Sequence, residues 1–119
     1  MKHTHTETNL EIENQYSKLV RDRIPELIMR DGKTAVTHQA DQAEYVRRLL
    51  DKLIEEATEL KEAKTTDHQK EELADVREVL GAIQSALGFL ETDIDEIQAS
   101  KRQERGGFKD RIILELLPK

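Results

Sequence analysis

Five carboxylates occur in two short motifs, and their spacing is the feature of this chain best suited to chemistry. Glu55, Glu56 and Glu59 form the first motif, and Glu72 and Asp75 form the second. Each motif lies in a segment whose apolar residues recur at helical spacing, and a polar break at residues 64–68 separates the two segments. Carboxylate oxygens are the ligands that hard divalent cations prefer. The pattern therefore predicts two helices that bring these side chains together around a metal ion.

Helical geometry predicts where four of these carboxylates lie. In a hairpin closed at the polar break, Glu56/Glu59 and Glu72/Asp75 stand at the same height, roughly 12 Å from the turn at 1.5 Å per residue. At 100° per residue, both pairs lie beside their apolar stripe in the same rotational sense. Two antiparallel helices place flanks of equal sense on one side, so the four side chains converge only in that topology. A short loop favours the same antiparallel pairing.

The alternative interpretation is a solvated acidic helix face. Such faces normally interleave opposite charges at i, i+4, whereas Glu59 and Asp75 have acidic neighbours at three and four residues. Glu56 has Lys52 four residues before it, in the less favourable order. Glu72 falls within the apolar stripe, where a buried charge is costly. Bound Mg²⁺ or Mn²⁺ would remove these penalties, so we prefer the metal site.

Composition limits the class of protein. The chain has 119 residues, of which 37% are charged and 3% aromatic, and it has no cysteine. These values predict one small all-α domain with a core of Leu, Ile, Val and Ala, and no disulfide or thiol chemistry. The sequence shows neither a secretory h-region nor an apolar run of membrane-spanning length, so we expect a cytoplasmic protein with no membrane partner.

Charge is distributed unevenly along the chain. The net charge is −6, yet residues 41–100 carry 16 acidic and 7 basic side chains while residues 101–119 carry 3 and 6. The uniformly basic face that duplex nucleic acid requires is absent, so we expect no such partner. Acidic residues flanked by cations instead suit a metal-bound polyphosphate.

Local signals predict the order of the elements. Residues 1–15 are interpreted as a flexible polar tail, in which His3 and His5 are solvated, and residues 16–119 as a single domain. The expected helices run from Pro25 to Arg30, from Gln42 to Lys64 with Asp41 as N-cap, from His68 to Leu87 with Thr66 or Asp67 as N-cap, and from Asp93 to Arg105 with Thr92 as N-cap. Residues 34–38 and 112–117 could pair as a minor two-stranded ribbon.

Two further motifs flank the carboxylates. Residues 18–25 read Lys-Leu-Val-Arg-Asp-Arg-Ile-Pro, and residues 104–108 read Glu-Arg-Gly-Gly-Phe. The pair E-E-x-x-E and E-x-x-D resembles the all-α NTP pyrophosphatase superfamily, which includes MazG, the all-α dUTPases and phosphoribosyl-ATP pyrophosphohydrolase. The flanking motifs resemble a short MazG-like house-cleaning branch, whose members are sometimes labelled phosphoribosyl-ATP pyrophosphohydrolase-like. The resemblance covers residues 16–115.

The resemblance implies a MazG-like helical bundle and a Mg²⁺-dependent reaction, with Mn²⁺ as a possible substitute. Nucleoside triphosphate would be cleaved between the α- and β-phosphates to give nucleoside monophosphate and pyrophosphate, with a metal-activated water as nucleophile. The implied catalytic residues are Glu55, Glu56, Glu59, Glu72 and Asp75, and the last four are the implied metal ligands. The helical wheel turns Glu55 away from the others, so it would support the ligands or bind an additional metal. Either Glu59 or Glu56 could accept the proton of the water.

Positively charged side chains are expected to bind the leaving pyrophosphate. The candidates for substrate binding are Lys18, Arg21, Arg23, Lys101, Arg105 and Lys109. Lys18 and Arg21 are the strongest, because they lie in the motif at residues 18–25 beside few other charges. Phe108 is expected in the small core rather than stacked on a base, and His38 and His68 are expected to be exposed loop and helix-start residues.

Two alternative functions stay open, and self-association of the chain is also expected. The alternatives are the phosphoribosyl-ATP pyrophosphohydrolase of histidine biosynthesis, and a nucleotide- or metal-binding dimer module without turnover. Ile54 widens the apolar surface beyond what one partner helix can cover. Relatives in the resembled superfamily are dimers or tetramers, so we expect a homodimer or homotetramer.

Overall fold

The computed structural model describes residues 17–118, and within them the secondary structure is entirely helical. Its helices are α1 (Ile24–Arg30), α2 (Gln42–Glu62), α3 (Thr66–Ala86) and α4 (Glu91–Arg105). The predicted all-α class is confirmed. The predicted tail at residues 1–15, with His3 and His5, lies outside the described residues. The chain divides into two compact units, one ending at Leu87 and the other beginning at Gly88, and each is described by itself; the predicted single domain at 16–119 stays a prediction.

The two-stranded ribbon is absent from the described residues. Residues 34–38 and 112–117 have no strand or bridge assignment, so that expectation was wrong. An isolated pair of short strands is only marginally stable in water. Val36 is 94% exposed, so this segment lacks the packing that would offset the cost of ordering it.

Helix α1 forms where Pro25 fixes the first turn. Glu26 lies in that first turn and Arg30 in the last, which matches the helix dipole. The helix ends before Gly32, whose φ of 84° is in the left-handed region that glycine tolerates. This short helix follows the segment that carries Lys18 and Arg21.

Helices α2 and α3 form an antiparallel hairpin, as predicted. The side chain of Gln42, at the start of α2, donates to the carbonyl oxygen of Ala86, at the end of α3, at 2.8 Å. Asp41 caps α2 by accepting from the Glu44 backbone N–H at 2.9 Å. The connection spans only residues 63–65, which leaves no room for another orientation.

Two predicted caps were wrong. Thr65, rather than Thr66 or Asp67, caps α3 by accepting from the His68 backbone N–H at 3.1 Å, because α3 begins at Thr66 and leaves Thr65 with extended backbone. Helix α4 begins at Glu91 and not after Thr92. Its N-cap position is Leu90, which makes no side-chain cap, and acidic residues in the first turn favour the helix terminus instead.

The hairpin encloses a small core. Leu49, Ala63 and Val79 are its buried apolar residues, and Glu56 and Glu72 are buried with them. Large apolar side chains remain outside, with Ile54 66% exposed and Leu73 51% exposed. In the described part of the chain, no helix combines the length and the apolar character needed to cross a membrane.

Candidate metal centre

Three of the predicted metal ligands converge between α2 and α3. One carboxylate oxygen from each of Glu56, Glu59 and Glu72 lies within 4.8 Å of the other two. In an octahedral Mg²⁺ site with ligands at 2.0–2.1 Å, neighbouring oxygens are about 3 Å apart and opposite ones about 4 Å apart. Small side-chain rotations would therefore bring the three glutamates to a hard divalent cation.

Two of the three carboxylates are enclosed by protein. Glu56 is 4% exposed and Glu72 is 2% exposed, and the Oε1 atom of each is closed off from solvent. Glu59 is half-buried. Burying neighbouring carboxylates is costly unless positive charge compensates them. The arrangement fits a divalent cation and leaves Glu59 as the carboxylate closest to water.

His68 is a member of this site that the sequence interpretation missed. Its Nε2 atom lies 3.0 Å from Oε2 of Glu72, and its side chain is 50% exposed. The spacing of four residues on one helix face was the available signal. A contact of this kind fixes the rotamer of Glu72, much as outer partners orient metal ligands in known sites.

Asp75 lies outside the group of three converging oxygens. Its Oδ1 atom accepts from Nη2 of Arg21 at 2.7 Å, so the carboxylate joins α3 to the segment before α1. Charge-assisted contacts of this length are among the stronger hydrogen bonds. A role for Asp75 as a metal ligand, and for Arg21 in binding phosphate, stays a prediction.

Glu55 also lies outside that group, as the helical wheel indicated, and contacts two lysines. Lys18 Nζ is 3.4 Å from its Oε2 atom, and Lys52 Nζ is 3.5 Å from its Oε1 atom. Lys52 Nζ is also 3.8 Å from Oε2 of Glu56. Lys52 therefore lies between Glu55 and the converging glutamates.

The remaining predicted cations have different surroundings. Arg23 pairs with Glu26 at 2.9 Å, within the first turn of α1. Lys101, Arg105 and Lys109 belong to the second unit, where they line a groove of about 990 Å³. Phe108 shares that groove and is 97% exposed. The expectation that Phe108 is buried was wrong: Ile112 and Ile113 of the same unit are themselves 81% and 78% exposed and do not pack over it.

A second charged contact stabilises the beginning of α2. Nε2 of His38 lies 3.1 Å from both oxygens of Glu44, and Nε of Arg48 lies 3.4 Å from Oε2. The hydrogen bond with His38 lowers the pKa of Glu44 below its ordinary value, and Arg48 contributes in the same direction. This contact ties the preceding loop to the hairpin.

Comparison with known proteins finds a partial match to an uncharacterized protein. No protein-family model matches the chain, and no solved structure matches it. A segment of 51 residues is 49% identical to an uncharacterized protein of Mycolicibacterium smegmatis, covering 43% of this chain and 52% of that protein. The match thus spans about half the length of the relative and assigns no activity.

Proposed function

We propose that this chain is a metal-dependent nucleoside triphosphate pyrophosphohydrolase that gives nucleoside monophosphate and pyrophosphate. The observation that supports the proposal is the convergence of Glu56, Glu59 and Glu72 to within 4.8 Å. These are three of the four residues that the MazG-like resemblance assigns to Mg²⁺ or Mn²⁺. A nucleotide-pool house-cleaning role in the cytoplasm belongs to the same proposal.

Each nearby side chain has a distinct role in this proposal. Glu56 and Glu72, the enclosed pair, would hold the cation, which supplies Lewis-acid activation of a phosphoryl oxygen and of a bound water. Glu59 is the least enclosed of the three, which supports it as the carboxylate that would accept the proton of the attacking water. His68 orients Glu72 through its 3.0 Å contact.

The lysines beside the converging glutamates favour a site that binds an anionic substrate together with the metal, rather than a metal with a purely structural role. Lys18 and Lys52 gather around Glu55, and Lys52 also reaches Glu56. Ammonium groups beside a carboxylate site suit phosphate oxygens that bind next to the cation. Positioning and electrostatic stabilisation supply most of the catalysis in phosphoryl transfer, and these residues supply both.

Self-association is part of the proposal. Leu73 and Leu80 on α3, and Leu87 directly after its last residue, recur every seven residues and are 51%, 48% and 43% exposed. That spacing gives one continuous apolar stripe along the helix. A second copy of the chain that packed against the stripe would form the homodimer or homotetramer that the sequence predicts.

A substrate panel tests the reaction. The purified protein is incubated with Mg²⁺ and each nucleoside triphosphate, or with phosphoribosyl-ATP, and products are separated by anion exchange. Nucleoside monophosphate plus pyrophosphate supports the proposal, whereas turnover of phosphoribosyl-ATP alone favours the biosynthetic alternative. Glu56→Gln should abolish turnover, and Glu62→Gln, an exposed residue on the same helix, is the matched control. Binding of nucleotide without any turnover would support the non-catalytic module.

A further inference from the structure

A small pocket lies between the segment before α1 and the middle of α2. Its volume is about 140 Å³, and its wall includes Ser17, Lys18, Arg48, Asp51, Lys52 and Glu55. Three of these side chains are cationic and two are anionic, so this wall carries a net positive charge. A site needs roughly 10–15 Å³ of volume of this kind to hold one water, so the pocket has room for an oxyanion the size of phosphate.

Glu55 holds two lysines at this pocket. Each of its carboxylate oxygens faces one ammonium group, with Lys18 at 3.4 Å and Lys52 at 3.5 Å. Lys52 is only 15% exposed and Lys18 is 41% exposed. Two ammonium groups from separate parts of the chain are thus brought to one place, where a second anion would bind favourably.

Arg48 fixes the segment that carries Lys18. Its Nη1 atom donates to the Ser17 carbonyl oxygen at 2.8 Å, and its Nη2 atom donates to Ser17 Oγ at 3.0 Å. Both contacts join this segment to α2, where Lys52 and Glu55 lie. The wall is therefore organised before any ligand binds, which lowers the entropic cost of binding.

Lys52 connects the pocket with the candidate metal centre. Its ammonium group lines the pocket and lies 3.8 Å from Oε2 of Glu56. An anion in the pocket would therefore be separated from the converging carboxylates by a single side chain.

We propose that the pocket binds a phosphate group of the substrate beyond the α-phosphate, through Lys18 and Lys52. Glu55 is a positioning residue that holds the two lysines, which gives the first residue of the E-E-x-x-E motif a role other than metal binding. The identity of the substrate rests on the proposed function. Because every nucleoside triphosphate carries the same phosphate groups, a contact made only with a phosphate contributes equally to the affinity for each of them.

Direct binding of inorganic phosphate tests the pocket without turnover. In an NMR titration of the full chain, phosphate should shift the backbone amides around Lys18 and Lys52. Lys18→Met and Lys52→Met should each weaken phosphate binding about tenfold, as expected for the loss of one charge-assisted contact in a partly exposed site. Lys61→Met, an exposed lysine on the same helix, should leave binding unchanged. Equal weakening in all three variants would overturn the assignment.

The variant Glu55→Gln separates positioning from metal binding. It should weaken phosphate binding severalfold, because Lys18 and Lys52 lose the carboxylate that holds them together, and should leave the Mn²⁺ affinity within about twofold. Unchanged or tighter phosphate binding would overturn the positioning role. A tenfold or greater loss of Mn²⁺ affinity, the size expected for residues that support metal ligands, would overturn the role given to Glu55.

The phosphate-binding test and the activity test can each give a negative result independently of the other. Absence of phosphate binding at high millimolar concentration, in a protein that still hydrolyses nucleoside triphosphates, would overturn the pocket assignment alone. Phosphate binding that depends on Lys18 and Lys52, in a protein that hydrolyses no triphosphate, would confirm an anion site and overturn the proposed reaction.

Discussion

Replacing Glu72 by glutamine tests whether the enclosed carboxylates hold a divalent cation. Glu72 is 2% exposed and Glu56 is 4% exposed, and both contribute to the group of oxygens within 4.8 Å. Glutamine keeps the shape of the side chain and can still accept from His68, which lies 3.0 Å away. It removes one negative charge from a crowded site. The metal-free variant should therefore melt at the temperature of the parent or slightly above it.

The expected effect on the metal-loaded protein is larger. A cation present at 100 times its Kd stabilises the folded state by about 2.7 kcal/mol. For a domain of this size, 1 kcal/mol shifts the melting temperature by roughly 3–6 °C, so Mn²⁺ should raise that of the parent by roughly 8–16 °C. If the substitution raises the Kd about a hundredfold, the same Mn²⁺ concentration stabilises by only about 0.4 kcal/mol. The remaining increment would be roughly 1–2 °C.

Thermal unfolding followed by circular dichroism, with and without Mn²⁺, measures both effects. Glu78→Gln is the matched control, because it makes the same charge change at an exposed position of α3. It should keep the full Mn²⁺ increment. A parent whose melting temperature ignores Mn²⁺ would refute the metal site, and Glu72→Gln with an undiminished increment would refute the assignment of Glu72 as a ligand.

Three further predictions address the reaction, the assembly and the pH dependence. Turnover in ¹⁸O-labelled water should place the label in the nucleoside monophosphate; label found first in pyrophosphate, or orthophosphate as first product, would contradict attack at the α-phosphorus. Light scattering should give a mass at least twice the 13.8 kDa of one chain, and Leu80→Lys should reduce it; an active parent monomer would contradict the shared assembly. Because His38 lowers the pKa of Glu44 from its ordinary 4.5, this contact should stabilise the fold above about pH 4.5 and lose its effect as the pH falls further. The melting temperatures of the parent and His38→Gln should therefore converge in acid, and a constant difference would contradict this account.

Much of the fold follows from local features of the sequence. The apolar period of 3.6 residues determines the hairpin helices, and the polar break between them is too short for any but an antiparallel return. Asp41 and Gly32 act through neighbouring backbone groups, so their places were predictable as well. The cap at Thr65 was missed because either of two adjacent threonines satisfies the same local pattern, and the exact length of the loop selects between them.

The convergence of Glu56, Glu59 and Glu72 was also predictable, since helical geometry sets the height and the direction of each side chain. Periodicity places residues on a helix face, but it says nothing about segments without regular structure. Arg21, which contacts Asp75, and Lys18, which contacts Glu55, lie in such a segment, more than thirty residues away in sequence. No local pattern encodes those contacts.

Burial was likewise decided by the tertiary structure. The sequence placed Glu72 within an apolar stripe, but it placed Glu56 beside its stripe, where solvent exposure was equally compatible. Only the packing of α2 against α3 closes both carboxylates off from water. It also leaves Leu73 and Leu80 outside, because two helices cannot cover each other's full apolar surface. Sequence thus determined which groups could meet, and packing determined their electrostatic environment.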